Sequence, residues 1–349
     1  MKAKDSVLFL SHHITHPRNQ YILEFLSKTG RASVPVFSYT SSSLLSISID
    51  SATNMLNLGL AGFEWDRPIH LDGIDVFIHS FIRNRPYLHD YHAPLVPELI
   101  WNGLSPLARA AQCLLPGSLS RAKVVIAPNC IMLAHAARYA RIPESFVIPN
   151  YPPKSFFRDI PTHSAREMLK LPEDREIAVF IGGARLRKVY GIELLLKTWM
   201  QVQKRKPDAR LYILGPYAQL DYDMTTLSRL RDKGITFVGM VGRHEIPTWI
   251  SAADLCLSQR TPGFPKRFYN IQDSLKLSEY ALFKKPIVAA GYLEGTDYLS
   301  TETSVESYRT GILDCLNGNA PVPTPHTWEE NIPKLKQAYD ILLSHCRDS

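Results

Sequence analysis

Short apolar runs of strand length alternate with segments of helical periodicity along almost the whole chain, and few architectures accept that order. Strands separated by helices pair in parallel, and a parallel sheet needs helices over both faces. In the first half the runs are VLFL from Val7, SVPVFSY from Ser33, DVFIHSF from Asp75 and KVVIAP from Lys123. The second half contributes EIAVFIGG from Glu176, ARLYILGP from Ala209, ITFVGM from Ile235, DLCLS from Asp254 and KPIVAAG from Lys285. Between them IPNYPPKSFF, residues 148–157, breaks the alternation with the stiff pair Pro152 and Pro153. The expected class is α/β: two Rossmann-like, doubly wound parallel-sheet domains, 1–150 and 151–327, facing each other across a cleft. A last helical segment at 328–349, set off by the Pro-rich APVPTPHTW, is free to pack on the first domain. Ligands of such sheets bind beyond the carboxyl ends of the strands, so the loops that follow strands are where chemistry is expected.

Charge narrows the partners. Forty basic against 33 acidic residues leave a net charge of +7 without any run of Lys and Arg. No nucleic-acid module is recognisable, and nucleic acid is not an expected partner. A mildly basic surface suits anionic substrates or an anionic membrane face. Five cysteines, at 113, 130, 256, 315 and 346, form an odd set without a CxxC pair, which argues against a disulfide framework or a zinc site and for a reducing compartment. The apolar run from Val7 to Leu10 is too short for a secretory signal, and nothing approaches the ~20 apolar residues of a membrane span. The expected location is cytoplasmic, with peripheral association at the inner membrane face as an option.

The stretch DSLKLSEYALFKKPIVAAG, residues 273–291, carries the most chemistry. Asp273 and Ser274 are favourable N-cap types, so a helix starts there with its positive end open to an anion such as a diphosphate. The backbone amides near Leu275 and Leu277 would contribute. Lys276 in the first turn sits badly against that dipole unless something negative lies in front of it. Glu279, three residues on, can accept hydrogen bonds from paired hydroxyls such as those of a ribose. A surface pair between Lys276 and Glu279 is the competing reading, and it has the less favourable order.

Two loops of the first half hold five of the twelve histidines. SHHITHPRNQ has His12, His13 and His16, which lack metal-ligand spacing and read as a polar, substrate-facing loop. RNRPYLHDYHAP, residues 83–94, has His89, Asp90 and His92, from which a general base can be drawn. His89 and Asp90 are adjacent and point to opposite faces in an extended segment, so they do not act as one hydrogen-bonded pair. The apolar stripe of residues 97–117 reads as a core helix pair broken at Pro106, with a helix that dips into lipid head groups as the alternative. In FIGGARLRKVYG a strand ends at Gly182 and Gly183, and Arg185, Arg187 and Lys188 form a basic loop before a helix near Gly191. That arrangement also suits a diphosphate.

Together these motifs resemble the nucleotide-sugar glycosyltransferases of the two-domain GT-B fold, in particular glycosyltransferase family 4. The resemblance covers about 146–292. ARLRKVYG is similar to the family's GRLxxxKG, which implies a phosphate-binding role for Arg185 and places Tyr190 where the family has lysine, with Arg187 or Lys188 as replacement. ITFVGMVGRHEIPTWISAADLCLS resembles the segment whose backbone, here Met240, Val241 and Gly242, holds the base. SLKLSEYALFKKPIVAA resembles the ribose and phosphate helix, which gives Lys276 to phosphate and Glu279 to ribose. The family's first glutamate is replaced by Ile271. The helix and the first loop also resemble the inverting glucuronosyltransferases of xanthan-type polysaccharide assembly.

The resemblance therefore implies transfer of a sugar from a UDP- or GDP-sugar to a glycan, lipid-linked glycan or lipid hydroxyl, with no cofactor and no metal requirement. Retention is the primary expectation, with His89 at the donor sugar. In an inverting route Asp90 is the base, with His89, His13 or His16 next. A nucleotide-sugar 2-epimerase and a binding subunit without catalysis are the other readings.

Overall fold

A computed structural model describes residues 7–11, 16–30, 33–35, 67–72, 85–101, 103–182, 191–216, 222–263 and 274–347. They form two compact units. One comprises the described residues up to Asn150 together with those from Trp328 onward, and the other those from Tyr151 to Thr327.

The first unit is built on a six-stranded parallel sheet of β1 (Val7–Leu10), β2 (Ser33–Pro35), β3 (Ile69–Asp72), β4 (Tyr87–Asp90), β5 (Val124–Ala127) and β6 (Glu144–Val147), in the order β2-β1-β3-β4-β5-β6. The order reverses between β1 and β3. One face packs on helices Leu95–Trp101, Ser105–Arg121 and Cys130–Ala136 through Leu8, Tyr87, Leu99, Ala111, Leu115 and Val125. The other packs on helix Pro17–Lys28 and the last helix, Ile332–Arg347, through Phe9, Ile22, Leu88, Leu335, Tyr339 and Leu342. Each fully buried side chain of this kind contributes about 1.5–3 kcal/mol.

The second unit repeats the plan with β7 (Ile177–Ile181), β8 (Arg210–Leu214), β9 (Ile235–Gly239), β10 (Leu255–Gln259), β11 (Ile287–Ala290) and β12 (Leu299–Thr301), ordered β12-β11-β10-β7-β8-β9 and all parallel. The reversal here lies between β7 and β10. Helices Ile192–Gln203 and Val305–Leu316 cover one face around Trp199, and helices Ile246–Ala252 and Leu275–Leu282 cover the other around Trp249 and Tyr280.

The structure corrects the reading of residues 83–94 as a loop. Its residues 87–90 are β4, in the middle of the sheet. IHLD of β3, ESFV of β6 and LST of β12 are further strands without apolar signatures. The expected strand DVFIHSF lies outside the described residues, and SVPVFSY is described only over Ser33–Pro35. Residues 97–117 fall in two helices with Pro106 in the first turn of the second, and Leu99, Ala111 and Leu115 are core. No helix among the described residues is long and apolar enough to cross a membrane.

Candidate active site

In the second unit the reversal of strand order leaves a crevice beyond the carboxyl ends of β7 and β10, the usual ligand position of a doubly wound sheet. Helix Leu275–Leu282 starts beside it. Ser274 occupies the N-cap position, but its side chain makes no capping bond, so the first amides are not closed off by it. Further along the helix Tyr280 is fully buried, and its hydroxyl accepts a hydrogen bond from the Ile181 amide at 2.9 Å. This bond ties the helix to the end of β7 and brings Lys276, one turn earlier, over the Phe180 ring with Nζ 4.6 Å from the centroid. Gly182 makes room for that ammonium. A Cβ there would lie 2.9 Å from Lys276 Nζ and 2.8 Å from Phe180 Cζ.

Two more cations complete the cluster. Arg260 directly follows β10, is buried, and lies over the Tyr292 ring at 4.7 Å, while the Tyr292 hydroxyl bonds Ser258 Oγ at 2.8 Å. Arg243, in the turn after β9, lies 4.3 Å over Phe156 and pairs with Glu279 Oε1 at 2.5 Å. Burial first and the neighbouring Arg260 second lower the Lys276 ammonium to about 7, with Glu279 working in the opposite direction. Burial raises the Glu279 carboxyl, opposed by Arg243 and Lys276. Among the described residues of the cluster, Lys276, Arg260 and Glu279 are buried and Arg243 is partly exposed.

Gly191 sets the Arg260 backbone. Its φ is +50° and its amide bonds Thr261 Oγ1 at 3.0 Å; an added Cβ would meet the Arg260 carbonyl oxygen at 2.5 Å. The substitution Gly191→Ala is expected to cost about 1–3 kcal/mol and to shift Arg260, read as a lower melting temperature together with weaker anion binding. A variant that melts and binds like the parent would disprove the constraint.

Residues 175–317, which contain this cluster, match the family model described as Glycosyl transferases group 1. Among solved structures, sucrose-phosphate synthase from Thermosynechococcus elongatus superimposes with a TM-score of 0.74 at 17% identity, covering 98% of this chain and 100% of that one. The fold is GT-B. HepE from Anabaena, solved in complex with UDP-glucose, follows with a TM-score of 0.63 at 17% identity and 98% coverage of both chains. MnaA from S. aureus, solved with UDP, gives 0.63 at 11% identity, covering 97% of both chains. No curated protein matches in sequence.

Of the donor-side residues expected for a GT-B chain, the structure brings Lys276 and Glu279 together at the crevice with Ser274 at the helix start. Leu275 opens the helix, and the amide of Leu277 is engaged by the Ser274 carbonyl at 2.9 Å. Met240 and Val241 follow β9; the Met240 side chain is exposed and Val241 packs into the core under the turn. The Gly242 amide bonds Glu245 Oε2 at 2.6 Å. Gly183, Arg185, Lys188, Tyr190, Asp273 and Ile271 lie outside the described residues, as does His13. Arg243 and Arg260 were missed. The signal that finds them is position, since each follows the carboxyl end of a strand.

The first GT-B unit also has a polar cluster at its reversal point. Asp72, ending β3, accepts hydrogen bonds from the Ser11 hydroxyl and from Asn19 Nδ2 at 2.9 Å, and its Oδ1 lies 3.2 Å from His92 Nδ1. Asp90, ending β4, is held by Arg18 through Nε at 2.8 Å and Nη2 at 3.0 Å. Burial alone would raise the Asp90 carboxyl, yet Arg18 and His92 outweigh it and hold the group below the ordinary value. A base that takes a hydroxyl proton needs a higher proton affinity than this and an open oxygen. Asp90 has the geometry of a counter-ion. His89 points to the opposite face, fully buried, with Nδ1 3.0 Å from Ser118 Oγ. His16 stands before helix Pro17–Lys28 with its ring stacked 6.1 Å from that of His92.

Proposed function

We propose that the chain is a retaining glycosyltransferase that moves a sugar from a nucleoside diphosphate sugar to a hydroxyl of a glycan, lipid-linked glycan or lipid. The observation that carries the reading is the gathering of three cations, the buried Lys276 and Arg260 and the partly exposed Arg243, around the carboxylate Glu279 beside the crevice. A leaving diphosphate develops negative charge as the glycosidic bond breaks, and fixed cations and helix-end amides aimed at it lower that barrier without reorganisation. Lys276 and Arg260 take the phosphates in this reading. A carboxylate has about four acceptor sites, so Glu279 can pair with Arg243 and still receive ribose hydroxyls. Arg185, by the family resemblance, adds a phosphate contact. The Glycosyl transferases group 1 match over the same residues supports the donor class, as does the fold shared with a protein solved in complex with UDP-glucose. Charge neutralisation by side chains also supports transfer that needs no divalent ion. With Asp90 engaged by Arg18, the base expected of an inverting route is occupied, which favours retention.

The test is a thermal-shift screen of nucleotide sugars, with and without chelator, followed by product analysis of the stabilising donor. One donor should raise the melting temperature by mass action, equally in chelator, and the transferred sugar should keep its anomeric configuration by NMR. The Glu279→Ala variant should lose the shift. Donor consumed to a free or isomerised sugar in the absence of acceptor would replace transfer by the epimerase-type reading. Binding without turnover under any acceptor would favour a non-catalytic subunit.

A further inference from the structure

The first unit has a hollow of about 920 Å³ at the end of its sheet opposite Asp72 and Asp90. Three neighbouring parallel strands are entered there through cations: Arg85 leads into β4, Lys123 into β5 and Arg141 into β6. Arg121, the last residue of helix Ser105–Arg121, is a fourth, and among the described residues Glu144 is the carboxylate in the lining. All four cations are exposed, and none makes an ion pair among the described residues. Arg121 has a local reason to be where it is, because the carbonyl end of a helix favours a cation. Arg85, Lys123 and Arg141 have no such reason. Their repulsion is screened by water and salt, but among the described residues no ion pair rewards gathering them around one hollow.

An anion would reward it. We propose that this hollow is a binding site for a phosphoryl group, carried by a free phosphorylated molecule or by a lipid head group. Arginine forks match phosphate oxygens in pairs, and several of them around a concavity select phosphate over a single carboxylate. Tyr87, Ile142 and Pro143 line the same hollow and give an apolar wall for the rest of the ligand. The volume lies within the ~300–1,000 Å³ of small-molecule sites. The site is separate from the Lys276 cluster, which belongs to the other unit, and does not depend on the donor reading.

The experiment compares the full-length parent with the double variant Arg85→Glu/Arg141→Glu and with the control Arg109→Glu, an exposed charge on helix Ser105–Arg121 outside the hollow. Two ligands are used: inorganic pyrophosphate by calorimetry at low salt, and vesicles of phosphatidylcholine with or without phosphatidylglycerol by sedimentation. Pyrophosphate held at Lys276 is common to all three proteins, so only the difference between them reports the hollow. The double variant should weaken one of the two ligands at least about tenfold, with the control unchanged. Loss confined to pyrophosphate identifies a free phosphorylated ligand, and loss confined to the anionic vesicles identifies a head group. The neutral pair Arg85→Gln/Arg141→Gln should fall between, which guards against a folding defect from charge reversal. Equal binding by parent and double variant, no binding by the parent, or an equal loss in Arg109→Glu would each overturn the site.

Discussion

Replacing Lys276 with methionine is expected to reduce kcat/KM for the donor at least about a hundredfold while raising the melting temperature of the ligand-free protein. The two effects have one cause. In the folded chain the ammonium is buried, with its proton affinity lowered from 10.5 to about 7. Between those values the unfolded chain binds more protons than the folded one, so stability rises with pH across this window, and the penalty is complete below about 7. A shift of that size corresponds to a cost on the order of several kcal/mol. Methionine keeps the length of the side chain and its contact with the Phe180 ring and removes the charge. A bound diphosphate does the reverse, because it favours the charged form and returns the proton. Binding of UDP near pH 8 should therefore take up a proton in the parent and none in Lys276→Met, read as calorimetric heats that depend on the ionisation enthalpy of the buffer. Parent-like turnover in the variant, or UDP binding by the parent without proton uptake, would remove Lys276 from the site.

The same cluster shows how much of the site was legible in the sequence. Lys276 and Glu279 share one short helix, so their spacing and the cation at the wrong end of a dipole could be read directly. Arg243 and Arg260 stand in VGRHE and SQR, segments without spacing to one another, and only the sheet brings them within reach of Glu279 and Lys276. The fold shows the same division. VLFL, IAVFI and IVAA are continuous apolar runs, as strands covered on both faces must be, and they were readable. IHLD and YLHD are equally central but carry His70, Asp72, His89 and Asp90, each hydrogen-bonded to a side chain distant in sequence. His70 lies 4.3 Å from the Phe9 ring and its Nδ1 is 2.7 Å from the Tyr339 hydroxyl, while burial lowers its imidazole to about 4. No local pattern announces such pairings. ESFV and LST are edge strands, and with little to bury they need no apolar signature.

Arg18 is the residue whose loss should cost the first unit most. It is 2% exposed, and besides its two bonds to Asp90 it donates to the Ile148 carbonyl at 2.6 Å and to Asn150 Oδ1 at 3.0 Å. It thereby ties the first helix to the ends of β4 and β6. Arg18→Met is expected to destabilise the unit by about 3–5 kcal/mol, the cost of leaving a buried carboxylate without its cation. The pH dependence should change with it. In the parent the depressed Asp90 carboxyl contributes stability that is present above the ordinary value of 3.8 and is lost only as pH falls through the lower folded value. Without Arg18 burial dominates, the group rises above 3.8, and the folded chain binds the extra proton. Stability of the variant should then increase as pH is lowered from about 7.5 toward about 5, where this group leaves the parent unaffected. Urea unfolding at both pH values measures the difference. Asp90→Asn added to Arg18→Met should recover much of the loss, since an amide needs no counter-ion, and the coupling between the two changes isolates the pair. Equal losses in single and double variants, independent of pH, would show that the charge of Asp90 is not what Arg18 serves.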